Sequence, residues 1–535
     1  MKKKIFAILL SFTIVAGMMP DNTLADDAAS MQHDHCFCGM NEYSQGHDHD
    51  SLISWKPLSE INDAIDSGYY YLTGDIHTTS EWKINSTVAL CLNGYSIICD
   101  SDTAAINIGR SGQLTITDCS ADETGTITHS EGKNGRGIYS IGKLDLWRGS
   151  VAGNQYCVKI DHSSPDDYYD RPVDYGTGIY NDGTFNMYGG SVKDNPKNPN
   201  NENTASFGGG VYNSSAFNMY GGSISGNHAQ NGGGGVCNRY SGIFNFSGGE
   251  ISNNRSGGSG GGVLNEESYS TFNMTGGVIS GNRTERSGGG VSNDGTFNLL
   301  DGSITGNVAK DDKDETFGEG GGVSNFNGKI YMSGGTISNN ECQYRGGGVW
   351  NFAEDKNTTI FEMTGGSIIN NKATSTNIFS GGGGMAAYAI SMYDDEEHIS
   401  KVNIIMKDGT ISGNEAYNGG GIWGFLVDNS KKGIKPEVNF ILSNGTISNN
   451  TAKDSGGGIF SSYGTINMSG GKISENNASL GGGVYFDFNK FVMTDGIISK
   501  NQAKRGGGVA NYGTFEMSGS SEISENKAIV DNKNM

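Results

Sequence analysis

The chain has 535 residues, of which 86 are glycine, and a formal net charge of −21. So many glycines exclude an α-helical solenoid, because each glycine inside a helix costs roughly 0.5–1 kcal/mol. The acidity argues against nucleic acid and anionic membrane surfaces as partners. Only 35% of the residues are hydrophobic, which fits a narrow, elongated core better than a compact globule of this length.

Residues 1–25 have the pattern of a secretory signal peptide. Lysines at positions 2–4 precede an apolar run over residues 5–18, and Thr23-Leu24-Ala25 offers small residues at the spacing that cleavage requires. A transmembrane anchor is the alternative, but the apolar run is short and polar sequence follows it. We therefore expect cleavage, secretion or extracellular surface association, and no transmembrane segment in the mature chain.

Residues 26–50 form a leader that holds four of the nine histidines and two of the eight cysteines. Thiolate and imidazole groups are ligands that Zn²⁺ binds tetrahedrally, so the leader is a candidate zinc site. The expected ligands are Cys36, Cys38, His47 and His49, with His35 as a substitute. An unstructured metal-scavenging segment or a Cys36–Cys38 disulfide would explain the same residues. The leader resembles short His/Cys-rich leaders of secreted β-helix proteins from Gram-positive anaerobes.

Residues 51–134 contain short β runs, and we interpret them as an N-terminal cap with the first, degenerate rungs of a repeat structure. Cys91, Cys99 and Cys119 could pair across neighbouring turns or could be buried free thiols. The segment Asn93-Gly94-Tyr95-Ser96-Ile97 resembles the L-N-G-x-x-I turn of the pectin lyase-like superfamily. The resemblance implies that family's cap and right-handed parallel β-helix.

Residues 135–526 repeat one pattern thirteen times: G-G-G-V-x-N, then F-x-M-x-G-G, then I-S-x-N. In the copy that starts at Gly481, the apolar positions are Val484, Phe491, Met493 and Ile498. Apolar residues at i and i+2 indicate a strand with one buried face, and the glycines and asparagines indicate turns. The pattern predicts an all-β fold: a single right-handed parallel β-helix with three short strands per rung and a minimal period of 25 residues.

The G-G-G-V and F-x-M-x-G-G elements also resemble the repeats of polymorphic outer-membrane-protein adhesins. That resemblance implies a surface-binding role and specifies rung geometry without chemistry. Residues 527–535 form a short C-terminal tail in which we expect no counterpart of that family's membrane barrel.

Enzymes of the pectin lyase-like superfamily use clustered carboxylates on one face of the helix. Two acidic insertions could supply them: residues 161–174, with Asp166, Asp167, Asp170 and Arg171, and residues 394–398. The insertions leave different edges of the rung and lie about seven rungs apart, roughly 34 Å at the spacing of strands. They cannot share one active site, and solvated loop charge explains both.

We therefore expect a secreted or surface-associated, adhesin-like β-helix protein that binds a polysaccharide, another polymer or a host surface. The alternative is a carbohydrate-active enzyme, either a polysaccharide lyase or a glycoside hydrolase, of pectin lyase-like fold. Paired carboxylates on neighbouring rungs of a groove would favour the enzyme, and a uniform ladder surface would favour binding.

Overall fold

The structure, a computed structural model, describes residues 55–61, 65–155, 175–195, 205–311, 317–354, 356–391, 399–428 and 436–529. These residues form strands and no helix. Each strand pairs in parallel with the equivalent strand of the next copy, as in Val484 opposite Val509 and Ile498 opposite Ile523. The all-β fold and the long parallel sheet of a β-helix are confirmed, whereas the handedness and the minimal period stay predictions.

The strands stack in four ladders, which we number by their order in one copy of the repeat. The first ladder carries the G-G-G-V-x-N element and contains Trp82–Ile84, Ile106–Ile108, Ile138–Ser140, Ile179–Asn181, Val211–Asn213, Val236–Asn238, Val263–Asn265, Val291–Asn293, Val323–Phe326, Val349–Ala353, Met385–Ser391, Ile422–Asp428 and Ile459–Ser462. The second ladder carries the F-x-M element and contains Lys56–Leu58, Gly68–Leu72, Thr87–Cys91, Gln113–Thr117, Lys143–Leu146, Thr184–Met187, Ala216–Met219, Ile243–Phe246, Lys329–Met332 and Glu437–Leu442.

The third ladder carries the I-S-x-N element and contains Ile76–Thr78, Ile97–Cys99, Thr126–His129, Ser150–Ala152, Ser191–Lys193, Ser223–Ser225, Glu250–Ser252, Thr336–Ser338, Thr446–Ser448 and Glu522–Ser524. Some strands run through two ladders, which joins the first three ladders into one 40-stranded sheet. Strands shared by the second and third ladders are Thr271–Ser280, Thr296–Thr305, Thr358–Ile369, Lys401–Ser412 and Thr465–Ser474; Val484–Ser499 continues through all three, and Val509–Met517 joins the first and second.

A fourth ladder of short strands, not predicted from the sequence, forms a separate 12-stranded sheet. From His228–Gly232 onward, each of its strands directly follows the asparagine that ends a copy. The strands of this ladder are Ala205–Phe207, His228–Gly232, Arg255–Ser256, Arg283–Thr284, Val308–Ala309, Glu341–Cys342, Lys372–Ala373, Glu415–Ala416, Thr451–Ala452, Asn477–Leu480, Gln502–Arg505 and Lys527–Ala528. Each rung from residue 205 onward therefore has a fourth short edge beside the three predicted strands.

The predicted apolar columns form the core. Val484, Phe491, Met493 and Ile498 are all fully buried, and one continuous hydrophobic cluster extends from Leu58 to the last rungs. Phenylalanines of successive rungs stack with nearly parallel rings, for example Phe217 on Phe244 at 4.7 Å between ring centroids. Identical side chains thus lie on one another at the spacing that parallel strands impose.

The segment before the regular repeat continues the same ladders. Ile106 lies opposite Ile138, and Leu114 lies opposite Leu144. Side chains of both segments belong to the same core cluster. The degenerate sequence of residues 65–134 therefore still builds rungs in register with the repeat.

Close backbone packing explains why the triplet consists of glycine, as Gly481, Gly482 and Gly483 illustrate. A Cβ atom on these residues would lie 2.5 Å, 2.4 Å and 2.5 Å from the carbonyl oxygens of Val484, Gln502 and Gly508, respectively. Gly481 also has φ = 65°, which residues with a Cβ rarely adopt. At Gly482 and Gly483 the neighbouring rung therefore leaves no room for a Cβ atom.

The asparagine that ends the I-S-x-N element forms a buried asparagine ladder through the repeat, in which the last member, Asn526, is partly exposed. Its members are Asn154, Asn195, Asn227, Asn254, Asn282, Asn307, Asn340, Asn371, Asn414, Asn450, Asn476, Asn501 and Asn526. In each step, the backbone N–H and the side-chain Nδ2 donate to the Oδ1 of the next member, as Asn282 does to Asn307 at 3.0 Å. This ladder satisfies the buried polar groups of the turn.

Candidate functional site: a groove on the second ladder

The outer face of the second ladder is built by alternation along its strands. In Ala216–Met219, Phe217 and Met219 point into the core, and Asn218 between them points outward. Tyr220, which follows the strand, is 46% exposed. Since the rungs stack in register, the same two outward positions recur on every rung and form two parallel rows.

The first of these rows is the outer asparagine row. It consists of Asn186, Asn218, Asn245, Asn273 and Asn298 on five successive rungs. Each Nδ2 donates to the Oδ1 of the preceding member at 2.8 Å, and Asn186 donates to Asp145 at 2.7 Å. A primary amide has two donor hydrogens and two acceptor lone pairs. An interior member of the row therefore keeps one donor and one acceptor site for a ligand.

The second row begins with three stacked aromatic rings. The rings of Trp147 and Tyr188 lie 4.2 Å apart, and those of Tyr188 and Tyr220 lie 5.0 Å apart, with interplanar angles of 18° and 13°. Smaller residues follow on the next rungs, namely Ser247 and Thr275, before Leu300. The stacked aromatic rings therefore lie at one end of the second row.

A groove of about 710 Å³ follows these rows. Its lining extends over six rungs, from Asn218 to Glu362, which corresponds to roughly 24 Å at the spacing of parallel strands. Glu362 is the one ionisable carboxylate in the lining, and it is paired with Lys407 at 2.5 Å. Beyond the other end, Asp145 is paired with Lys143 at 2.7 Å. The groove is therefore long, narrow and nearly neutral.

A different cluster brings carboxylates together on neighbouring rungs. Arg239, Glu266 and Asp294 follow three asparagines of the first ladder that lie opposite one another in the sheet. The Nε atom of Arg239 lies 3.2 Å from Glu266 and 3.1 Å from Glu267. Burial, together with the charge of Glu266, raises the pKa of Asp294 to about 7. Burial also raises the pKa of Glu266, although the charge of Arg239 opposes this. A carboxyl group with the pKa of Asp294 can hold or release a proton near neutral pH.

The sites predicted from the sequence lie outside the described residues. This applies to the expected zinc ligands Cys36, Cys38, His47 and His49, to the substitute His35, and to the acidic insertions 161–174 and 394–398. Within the described ranges, no group of three or more His, Cys, Asp or Glu side chains is placed to hold a metal ion. The zinc site therefore stays a prediction.

The groove itself was not predicted, although the sequence contains its signal. The residue between the two apolar positions is asparagine in five successive copies, from Phe185-Asn186-Met187 to Phe297-Asn298-Leu299. An aromatic residue follows the element at Trp147, Tyr188 and Tyr220. These two outward-facing columns are the sequence signals of the two rows.

Comparisons with known protein families, curated proteins and solved structures find no match to this chain. None of the described residues belongs to a helix that could cross a membrane.

Proposed function

We propose that this protein is a secreted, adhesin-like β-helix that binds a neutral polysaccharide along the groove of the second ladder. The observation that supports this most is the outer asparagine row, which offers one donor and one acceptor per rung beside stacked aromatic rings. Sugar hydroxyls both donate and accept hydrogen bonds, and the C–H face of a sugar ring packs on an aromatic ring. The signal-peptide pattern of residues 1–25 supports secretion.

The charge of the groove favours a neutral ligand. Among the residues that the structure describes, the groove lining contains no lysine or arginine that could bind a uronic acid or a sulfate, and its one carboxylate, Glu362, is paired with Lys407. The net charge of −21 disfavours single-stranded nucleic acid, which could otherwise stack on the same rings. An extended, uncharged, hydroxyl-rich chain fits the geometry best.

The groove does not favour catalysis at its own surface. Asp145 and Glu362 are seven rungs apart, which is roughly 34 Å, whereas the two carboxyl groups of glycosidases lie within about 10 Å of each other. The groove therefore supports binding without cleavage.

A glycan array tests the proposal directly. We expect the mature wild-type protein to bind neutral polysaccharides and Tyr220→Ala to lose most of that signal. Tyr463→Ala is a matched control, because Tyr463 is 41% exposed and also stacks on a neighbouring ring at 5.0 Å, but lies away from the groove lining. Binding that is confined to acidic glycans, or that is equal in all three proteins, would contradict the proposal.

A carbohydrate-active enzyme is the second candidate, and the Arg239–Glu266–Asp294 cluster favours it. A carboxyl group whose pKa is about 7 can act as a general acid, and a second carboxylate lies on the neighbouring rung. We expect release of reducing ends from a polysaccharide only under this second function, and Asp294→Asn should then abolish it. Turnover that Asp294→Asn leaves intact would exclude this cluster as the active site.

A further inference from the structure

The described residues include five cysteines, all present as free thiols: Cys91, Cys99, Cys119, Cys237 and Cys342. The sequence leaves open whether the first three pair, and with which partner. The structure places these three on two different sides of the sheet, and this placement separates the possible pairs.

Cys91 and Cys119 lie on neighbouring rungs of the second ladder. Cys91 ends the strand Thr87–Cys91 and lies opposite Thr117, the last residue of the next strand, so Cys119 follows two residues later. Cys91 belongs to a small hydrophobic cluster on the outer face with Trp55 and Tyr71, and Cys119 packs against this cluster. Leu90 and Leu92, on either side of Cys91, belong instead to the interior core.

The two side chains interact across the neighbouring rungs. The side chain of Cys91 is within hydrogen-bonding reach of both the thiol and the backbone N–H of Cys119. The hydrogen bond between the side chains and, second, burial raise the pKa of the Cys91 thiol well above its usual range. Cys119 is partly exposed, whereas Cys91 is fully buried. Cys119 is therefore the thiol that an external reagent reaches first.

Cys99 faces the other way. It ends the strand Ile97–Cys99 of the third ladder and belongs to the interior core cluster. Its sulfur contacts Ser101 Oγ at 3.3 Å and interacts with His129. Cys237 and Cys342 lie in two further clusters, with Tyr212 and with Ala309, respectively.

We propose that Cys91 and Cys119 form a disulfide bond that links two successive rungs near the N-terminal end of the β-helix. The oxidant is a small disulfide, such as oxidised glutathione. The Cys119 thiolate attacks one sulfur of this reagent and releases one thiol, which leaves a mixed disulfide on Cys119. The mixed disulfide removes the Cys119 thiol, whose hydrogen bond is the larger cause of the raised pKa of Cys91, and the Cys91 thiolate then displaces the second thiol. Two protein thiols are oxidised, one reagent disulfide is reduced to two thiols, and the protein loses two protons and two electrons. This proposal does not depend on the proposed function.

Peptide mapping of the full chain tests the bond. The protein is equilibrated with oxidised glutathione, unfolded in the presence of an alkylating reagent so that every free thiol reacts, and digested with trypsin and chymotrypsin without reduction. Cleavage after Tyr95 separates Cys91 from Cys99, and cleavage after Arg110 separates both from Cys119. We expect a cross-linked peptide pair that contains Cys91 and Cys119 and disappears on reduction. We also expect the oxidised protein to melt a few degrees above the reduced protein, because the bond restricts the unfolded chain.

Two variants provide the controls. Cys99→Ser should retain the cross-link and the redox-dependent melting, and Cys119→Ser should lose both. The proposal is overturned if Cys91 is found linked to Cys99 or to another cysteine, or if Cys91 and Cys119 are both alkylated in the oxidised protein. The wild-type map decides between these outcomes even where a variant fails to fold.

Discussion

The buried asparagine ladder and the outer asparagine row use the same side chain at the same spacing of stacked strands and differ in their contact with water. In the buried asparagine ladder, the Nδ2 of Asn282 donates to Asn307 and to the carbonyl of Ile251, and its Oδ1 accepts from the N–H and the Nδ2 of Asn254. In the outer asparagine row, Asn245 makes one such bond upward and one downward. An interior amide of the buried asparagine ladder uses all of its donors and acceptors within the protein. An interior amide of the outer asparagine row keeps one donor and one acceptor free.

This difference teaches that a repeated residue is structural or ligand-binding according to which of its hydrogen bonds the protein itself satisfies. Leaving a buried donor or acceptor without a partner costs about 1–3 kcal/mol, whereas water replaces the partner of a half-exposed amide. Substitutions in the buried asparagine ladder should therefore lower stability, whereas substitutions in the outer asparagine row should lower affinity for the ligand.

The largest effect is expected from Asn282→Ala, which breaks the buried ladder. The substitution leaves the N–H and the Nδ2 of Asn254 and the carbonyl of Ile251 short of partners in a dry turn. We expect a loss of about 3–6 kcal/mol in the free energy of unfolding. Urea denaturation measures it. A loss below about 1 kcal/mol would show that the ladder is not the main support of the turns.

The next effect is the pH dependence of stability that the Arg239–Glu266–Asp294 cluster should cause. Since the folded pKa of Asp294 is about 7 and the unfolded value is about 4, folding favours the protonated carboxyl. Its contribution to stability is present below about pH 4 and is lost as the pH rises through about 7. Asp294→Asn cannot ionise, so we expect it to be more stable than wild type at pH 8, by up to about 4 kcal/mol, and closer to wild type at pH 4.

Melting curves of both proteins at the two pH values measure this difference. Glu131→Gln serves as the control, because Glu131 is exposed, and it should behave like wild type at both. An equal gap between Asp294→Asn and wild type at pH 4 and pH 8 would contradict the expected sign.

A smaller effect, on binding and not on stability, is expected from Tyr220→Ala. The substitution removes the ring at the groove end of the aromatic stack. A stacked ring contributes about 0.5–1.5 kcal/mol, so affinity for a bound polysaccharide should fall by up to about tenfold. Affinity electrophoresis in polysaccharide gels measures the change, with Tyr463→Ala as the unaffected control.

The smallest effect on stability is expected from Asn245→Ala, the outer counterpart of Asn282→Ala. Its partners Asn218 and Asn273 are only partly buried and can bond water, so the free energy of unfolding should change by less than about 1 kcal/mol. Affinity for the polysaccharide should nevertheless fall. Urea denaturation and the same gels, applied to one protein preparation, separate the two properties.

The sequence predicts the inside of this molecule better than its outside. Phe491, Met493 and Ile498 are confirmed as core residues, because burial imposes a strict period on side chains that point inward. The fourth ladder was missed even though Asn-x-Ala ends eight of the thirteen copies, as in Asn501-Gln502-Ala503, because two residues are too few to show a period.

The candidate site could be predicted only in part. Outward positions vary freely unless a ligand or a neighbour restrains them, so the row of asparagine is visible in the sequence but its meaning is not. The contact between Cys91 and Cys119 and the raised pKa of Asp294 depend on packing across rungs. The sequence spacing of those residues does not indicate either property.

The central claim is that the groove binds an extended chain along about six rungs, and a length series tests it most directly. Isothermal titration calorimetry would be carried out with oligosaccharides of increasing length from the polysaccharide that binds. The dissociation constant should fall as the oligomer lengthens and should level off once the chain spans roughly 24 Å, the length of six rungs. Asn245→Ala should weaken the long oligomers more than the short ones. A disaccharide that binds as tightly as the longest oligomer, with Asn245→Ala equal to wild type, would contradict the account.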